Sequence, residues 1–205
     1  MMNSSKFLMA VILTTALSAC VSVLPDPAPA NVVYRLTTDS VRVNSLENAP
    51  VIRIDTPSAA RLISGREIIV SPDAQRLAVA GGAEWADALP RMVQQTFLDV
   101  LSERADIIGV IPIAGARANY RVHLNIDNFE ARFDRGPDNA PTIIVAYSAT
   151  FAASSTRNLV STKQVTQKIR ADAASVSAIV NSMDSANRAA LGDIADWITS
   201  LNLGS

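Results

Sequence analysis

The chain has 205 residues, 49% of them apolar, which is enough for one sizeable core in a single domain. Its formal charge is −1, and no basic run interrupts that balance, so the electrostatic footprint of a nucleic-acid binder is missing. One histidine and one cysteine leave any zinc site to be built mainly from carboxylates, against the usual Cys and His ligand set.

The first element is a secretion signal. Lys6 supplies a positive start, Phe7 to Leu17 an apolar stretch, and Ser18 and Ala19 a small-residue cleavage site. The apolar run falls short of the roughly 20 residues that a membrane-spanning helix needs. Leu17-Ser18-Ala19-Cys20 resembles the lipobox of bacterial lipoproteins. The resemblance implies that the Cys20 thiol carries diacylglycerol, usually joined by an N-acyl chain, and that Cys20 becomes the first mature residue. Two or more acyl chains hold a protein stably where one holds it only marginally. In such lipoproteins an aspartate after the cysteine retains the protein in the inner membrane; here Val21 and Ser22 follow, which implies the outer membrane, facing the periplasm. With the only cysteine consumed by lipid, no disulfide can form even in that oxidising compartment. Residues 1–19 are thus read as the signal peptide, 20–31 as the lipidated Cys20 and a tether, and 32–205 as the domain. Pro25, Pro27 and Pro29 make the tether extended, with a reach of roughly 30 Å at about 3.1 Å per residue.

Short β-rich runs come next, at Val32 to Thr37, Val51 to Asp55, Arg66 to Ser71 and Gln75 to Ala80, with Pro72-Asp73 read as a hairpin turn between the last two. The period then changes. Trp85, Leu89, Met92, Val93, Thr96, Phe97, Val100 and Leu101 fall on one face of a helix that starts near Asp87 or Ala88, keeps Pro90 in its first turn, and ends near Glu103. Tyr120, Val122, Leu124 and Ile126 alternate with polar residues as one strand; Phe129, Ala131 and Phe133 then switch parity, which predicts a bulge or bend near Asn128. After a turn over 134–139, residues 143–151 alternate again, and Leu159 to Arg170 reads as a more polar edge strand. A closing stripe from Val176 to Leu201 predicts a second helix, capped by Ser175 or Asp172. The expected fold is α+β: a two-layer sandwich, an antiparallel sheet with two long amphipathic helices on one face.

Several of these segments carry a family resemblance: Trp85-Ala86-Asp87-Ala88-Leu89-Pro90, Tyr120-Arg121-Val122 leading to Asp127-Asn128-Phe129-Glu130-Ala131, the closing Ile194-Ala195-Asp196-Trp197, and the Tyr34-Arg35-Leu36 start. Their order and spacing resemble the ABC-type transport auxiliary lipoprotein family, of the paraquat-inducible lipoprotein C type. Many members have Arg before the Trp, where this chain has Glu84. The resemblance implies a non-catalytic partner of a periplasmic mammalian-cell-entry type protein in an ABC transport system that carries lipid. A lipoprotein that scaffolds an outer-membrane complex without handling lipid is the alternative reading.

Chemistry-bearing residues are few. His123 falls on the polar side of its strand, the place of a solvated histidine rather than a catalytic base or metal ligand. Asp127, Glu130, Asp134 and Asp138 bring four carboxylates close in sequence but lack calcium-loop spacing. Gly81-Gly82 reads as a flexible link from strand to helix, and neither a phosphate loop nor a nucleophile elbow is present. No catalytic residue, metal ligand or cofactor is assigned beyond the acyl lipid on Cys20. Trp85 and Trp197 lie in phase with the core stripes and are expected to pack on the sheet. The Ala- and Ser-rich last helix is expected to lie on its own sheet, with a homo-oligomer contact as the alternative. The lipobox reading predicts that radiolabelled palmitate enters the wild-type protein and that Cys20→Ala abolishes the label, read by autoradiography after immunoprecipitation.

Overall fold

A computed structural model describes residues 30–37, 41–73, 75–201 and 203. The signal, the lipobox and nearly all of the tether lie outside the described residues. Nine strands and two α-helices follow: β1 Val32–Tyr34, β2 Val51–Ile54, β3 Ser58–Ala59, β4 Glu67–Asp73, β5 Arg76–Trp85, α1 Leu89–Ser102, β6 Ile108–Val110, β7 Tyr120–Arg132, β8 Thr142–Ala153, β9 Leu159–Arg170 and α2 Val176–Ser200. A short 3-10 turn, Pro112–Ala114, leads from β6 to β7.

The expected meander is present: β7, β8 and β9 pair antiparallel in sequence, and β9 has a strand on one side only. The N-terminal strands join differently. β8 occupies one edge of β7 along its whole length, and the other edge takes β2, β3 and β4 in succession, all parallel to it. β6 then pairs parallel with β2, β5 antiparallel with β4, and β1 parallel with β5. The sheet is therefore mixed. Parallel pairing needs a crossover, which the path through β5, α1 and β6 supplies.

The parity switch in β7 is a bulge. Ile126 pairs with Tyr147 and Asn128 with Ala146, so Asp127 is the extra residue and stands exposed. On either side of it, Val122, Leu124 and Ile126, then Phe129 and Ala131, turn into the core.

The hairpin of β4 and β5 departs from expectation in two ways. Pro72 and Asp73 stay in the strand, because the Asp73 carboxylate closes the turn after itself by accepting from the backbone N–H of Gln75 at 3.0 Å and of Arg76 at 2.9 Å. Pro72 falls in a gap of the ladder, where its missing N–H costs nothing. Gly81-Gly82, expected as a link, lie inside β5. Between the pairs Glu67–Glu84 and Ile69–Val79, one residue of β4 faces four of β5, and Gly82 takes φ +71° in this bulge, a conformation open to glycine.

Both helices cover one face. α1 begins with Pro in its first turn and buries Leu89, Val93, Phe97, Val100 and Leu101. A Cβ at Gly109 of β6 would lie 3.2 Å from a methyl of both Leu98 and Leu101, so glycine there lets α1 close on the sheet. α2 is capped by Ser175, whose hydroxyl accepts from the Ala178 N–H at 3.4 Å. It lies on β7, β8 and β9 of its own sheet and against α1. Along the helix seam Arg188 pairs with Glu103 and Arg104 with Asp196, each at 2.6 Å. Such solvent-facing pairs contribute about 0–1 kcal/mol each, so apolar burial holds the layers together. Asp99 is buried on α1, where desolvation raises its carboxyl pKa above the ordinary value.

One polar bond crosses the core. The Tyr147 hydroxyl of β8 donates to the Asn187 side-chain carbonyl of α2 at 2.6 Å, with both residues fully buried. Burial pushes the phenol well above its ordinary range, so it stays protonated and donating. Tyr147→Phe leaves the buried carbonyl unpartnered and is expected to cost about 1–3 kcal/mol, read as a lower urea midpoint at unchanged slope; adding Asn187→Leu should recover part of the loss.

Candidate functional site

The face of the sheet opposite the helices is open and carries a fixed polar lattice. On β7 the side chains that point away from the helices are Arg121, His123, Asn125 and the bulged Asp127. Asp55, just after β2, accepts from Arg53 Nε at 3.1 Å and from Arg121 Nε at 3.0 Å. Ser58 of β3 reaches two strand residues, with its hydroxyl 3.0 Å from His123 Nε2 and donating to Asn125 Oδ1 at 2.8 Å. The Asn125 amide donates to Asp127 Oδ1, and Ser148 of β8 donates to Asp127 Oδ2, both at 2.6 Å. Cross-strand rows extend the lattice sideways: His123 with Thr150 and Thr162, and Asn125 with Ser148 and Gln164. Hydrogen bonds thus tie Ser58, His123, Asn125, Asp127 and Ser148 to one another.

The geometry of Ser58 and His123 is structural. A nucleophile presents its proton to the base, whereas the Ser58 hydroxyl donates to Asn125 Oδ1. His123 is half-buried on the polar side of β7, where the alternation placed it.

The four sequence carboxylates are not brought together. Asp127 is engaged by Asn125 and Ser148, Glu130 is buried and paired with Arg132, and Asp138 is exposed in the turn. Asp134 takes two bonds from Arg170 of β9, at 2.7 and 2.9 Å, and one from the Thr142 hydroxyl at 3.2 Å. Those Arg170 hydrogen bonds, first among the causes, hold its carboxyl well below the ordinary carboxylate range. Among the described residues no three His, Cys, Asp or Glu side chains are grouped to hold a metal ion.

The two tryptophans pack on the sheet. Trp85 is buried edge-on to Phe129, with ring centroids 6.0 Å apart. Trp197 meets Phe151 edge-on at 6.3 Å, and Phe151 in turn stacks on Tyr120 at 5.2 Å. The outer side of Trp197 lines an open groove of about 530 Å³ between α2 and β9, together with Lys163, Val165, Asp193 and Asp196. Glu84 pairs with Arg66 across the hairpin at 2.8 Å. Cys20 and the rest of the lipobox lie outside the described residues. Among the described residues no helix is long and apolar enough to cross a membrane.

Sequence reasoning missed Ser58 and Asp55 as members of the lattice. They meet His123 and Arg121 across 65 and 66 positions, which no local period reports.

The fold and its face define a small α+β domain with one helix-covered and one polar, open side. The family model described as the ABC-type transport auxiliary lipoprotein component matches residues 34–195, and the chain belongs to that family. It is thereby one of a family of lipoproteins that serve ABC transport systems. A solved Xanthomonas campestris protein of the family designated DUF330 is 21% identical, with a TM-score of 0.69 over 83% of this chain and 96% of that one. A second solved structure, of an uncharacterized protein, is 11% identical, with a TM-score of 0.67 over 83% and 99%. These two share the fold. The PelC dodecamer of Paraburkholderia phytofirmans is more distant, 10% identical with a TM-score of 0.43 over 76% and 95%. No curated protein matches the sequence.

The Asp134 ion pair has a pH consequence. Because its folded pKa is depressed, it adds stability above the ordinary value of 3.8 and loses it as pH falls through the lower folded value. A carboxyl carbon NMR titration is expected to place the Asp134 midpoint well below 3.8, and Arg170→Met should move it back up toward that value.

Proposed function

We propose that the protein is an outer-membrane-anchored, periplasm-facing auxiliary of an ABC transport system that moves lipid between membranes with a periplasmic protein of the mammalian-cell-entry type. The observation that carries this reading is the family match, which begins 14 residues after a lipobox whose cysteine is the only one in the chain. Diacylglycerol on Cys20 would supply the attachment, and residues 21–31 the reach. The domain's part is then positional: it holds its lattice of Arg121, His123, Asn125 and Ser148 toward the periplasm as a preformed contact surface. The net charge of −1 argues for a partner recognised by shape and hydrogen bonding rather than by bulk electrostatics.

The test is isolation of the full lipidated protein in mild detergent. The mammalian-cell-entry type protein should co-purify, deletion of the gene should alter outer-membrane lipid composition, and native mass spectrometry of the complex should find phospholipid. Partner binding with no lipid at any stage would favour the scaffold reading. Absence of both the partner and a lipid phenotype would overturn the proposal.

A further inference from the structure

The rim of the sheet at β1 and β5 has no place in that account. β4 takes one edge of β5, and β1 pairs with the other only at residues 83–85, so the edge from Arg76 to Gly82 carries no strand among the described residues. This free stretch contains no charge after Arg76, and its Leu77 and Val79, together with Val32 and Val33 of β1, are between 47% and 55% exposed. Asn31, just before β1, and Val79 of β5 line one shallow groove that also takes in Arg66, Glu67 and Glu84. Of the charges beside it, Arg76 pairs with Asp73 at 2.7 Å and Arg66 with Glu84 at 2.8 Å, while Glu67 stands exposed in the same groove.

We propose that this rim is a membrane-contacting surface, seated at the boundary of phospholipid headgroups and acyl chains beside the lipid anchor. The inference rests on the lipid-anchor reading of Cys20. The chain enters the domain at this rim, because β1 follows directly on the tether. At about 3.3 Å per residue, the path from Cys20 to Val32 spans at most about 40 Å. The tether therefore sets a radius within which the rim meets the bilayer, and tethering on that scale gives an effective concentration in the millimolar range. A patch too small to bind free vesicles is enough under those conditions. The rim offers apolar side chains and no basic patch, so the contact does not depend on anionic lipid. Strand addition by a second copy fits less well, since the Gly81-Gly82 bulge breaks the free edge after Ala80, a device that blunts edge pairing.

Because lipid occupies the only native cysteine, a second one can be labelled alone. Val33→Cys, Leu77→Cys and Ile113→Cys, each carrying an NBD fluorophore, are placed as full lipidated protein in phosphatidylcholine vesicles containing brominated acyl chains. Ile113 is the control: it is 89% exposed and equally apolar, but near the start of β7, whereas β4 and β5 lie at its end. The expected result is quenching at 33 and 77 at least about twofold above that at 113, as for side chains seated at the interface. Leu77→Glu with Val79→Glu should abolish the quenching at 33 while the protein still sediments with vesicles. Equal quenching at all three positions, or none, overturns the proposal. So does a blue shift at 77 that grows with protein concentration in vesicle-free solution, the mark of a second copy. The intact mass separates the two readings: lipidated protein with unquenched probes refutes the rim alone, and protein without the acyl mass refutes the anchor as well.

Discussion

Everything in this domain depends on one strand having neighbours on both of its edges. β7 runs unbroken through 13 residues, with β8 along one side and β2, β3 and β4 in file along the other. The short N-terminal strands could not stand alone, since β3 has only two residues and β2 four. They are ordered by a strand that comes some 60 residues later in the chain, and through β4 they order β5 and β1 in turn. Completing the sheet therefore requires contacts distant in sequence, made through the crossover that carries α1.

That dependence explains which parts of the structure could be read directly from the residues. The helices were visible because a stripe such as Leu89, Val93, Phe97 and Val100 is a local period, and so were the β7 to β9 meander and its parity switch. The parallel pairing was not, because short runs such as Val51–Ile54 look the same beside any neighbour. β6 was hidden by Gly109, whose value is the room it leaves for Leu98 and Leu101, a property of the packed helix and not of the strand. The turn after Asp73 was misplaced by two residues because a side-chain carboxylate, and not the proline, closes it. For the open face, alternation located His123 and Asn125, but nothing local could bring Ser58 and Asp55 to them.

The two faces of the sheet divide the labour. On the covered side almost every contact is apolar, and the buried Tyr147–Asn187 bond fixes where α2 sits along β8. On the open side hydrogen bonds run between neighbours in the plane, so surface polarity is converted into rigidity. Sheet order places β1 and β9 at opposite edges, with β7 between them. The rim where the tether enters and the groove beside Trp197 consequently lie on opposite edges of the sheet.

The bulge at Asp127 carries a consequence for how such a chain can vary over time. One extra residue lets Val122, Leu124 and Ile126 share the helix side with Phe129 and Ala131. A one-residue gain or loss away from the bulge would set part of that strand's apolar side chains on the open face, whereas at Asp127 it would remove the bulge and leave a plain alternation. Gain and loss of sequence should therefore concentrate in the connections at 103–119 and 133–141 and, within β7, at the bulge alone.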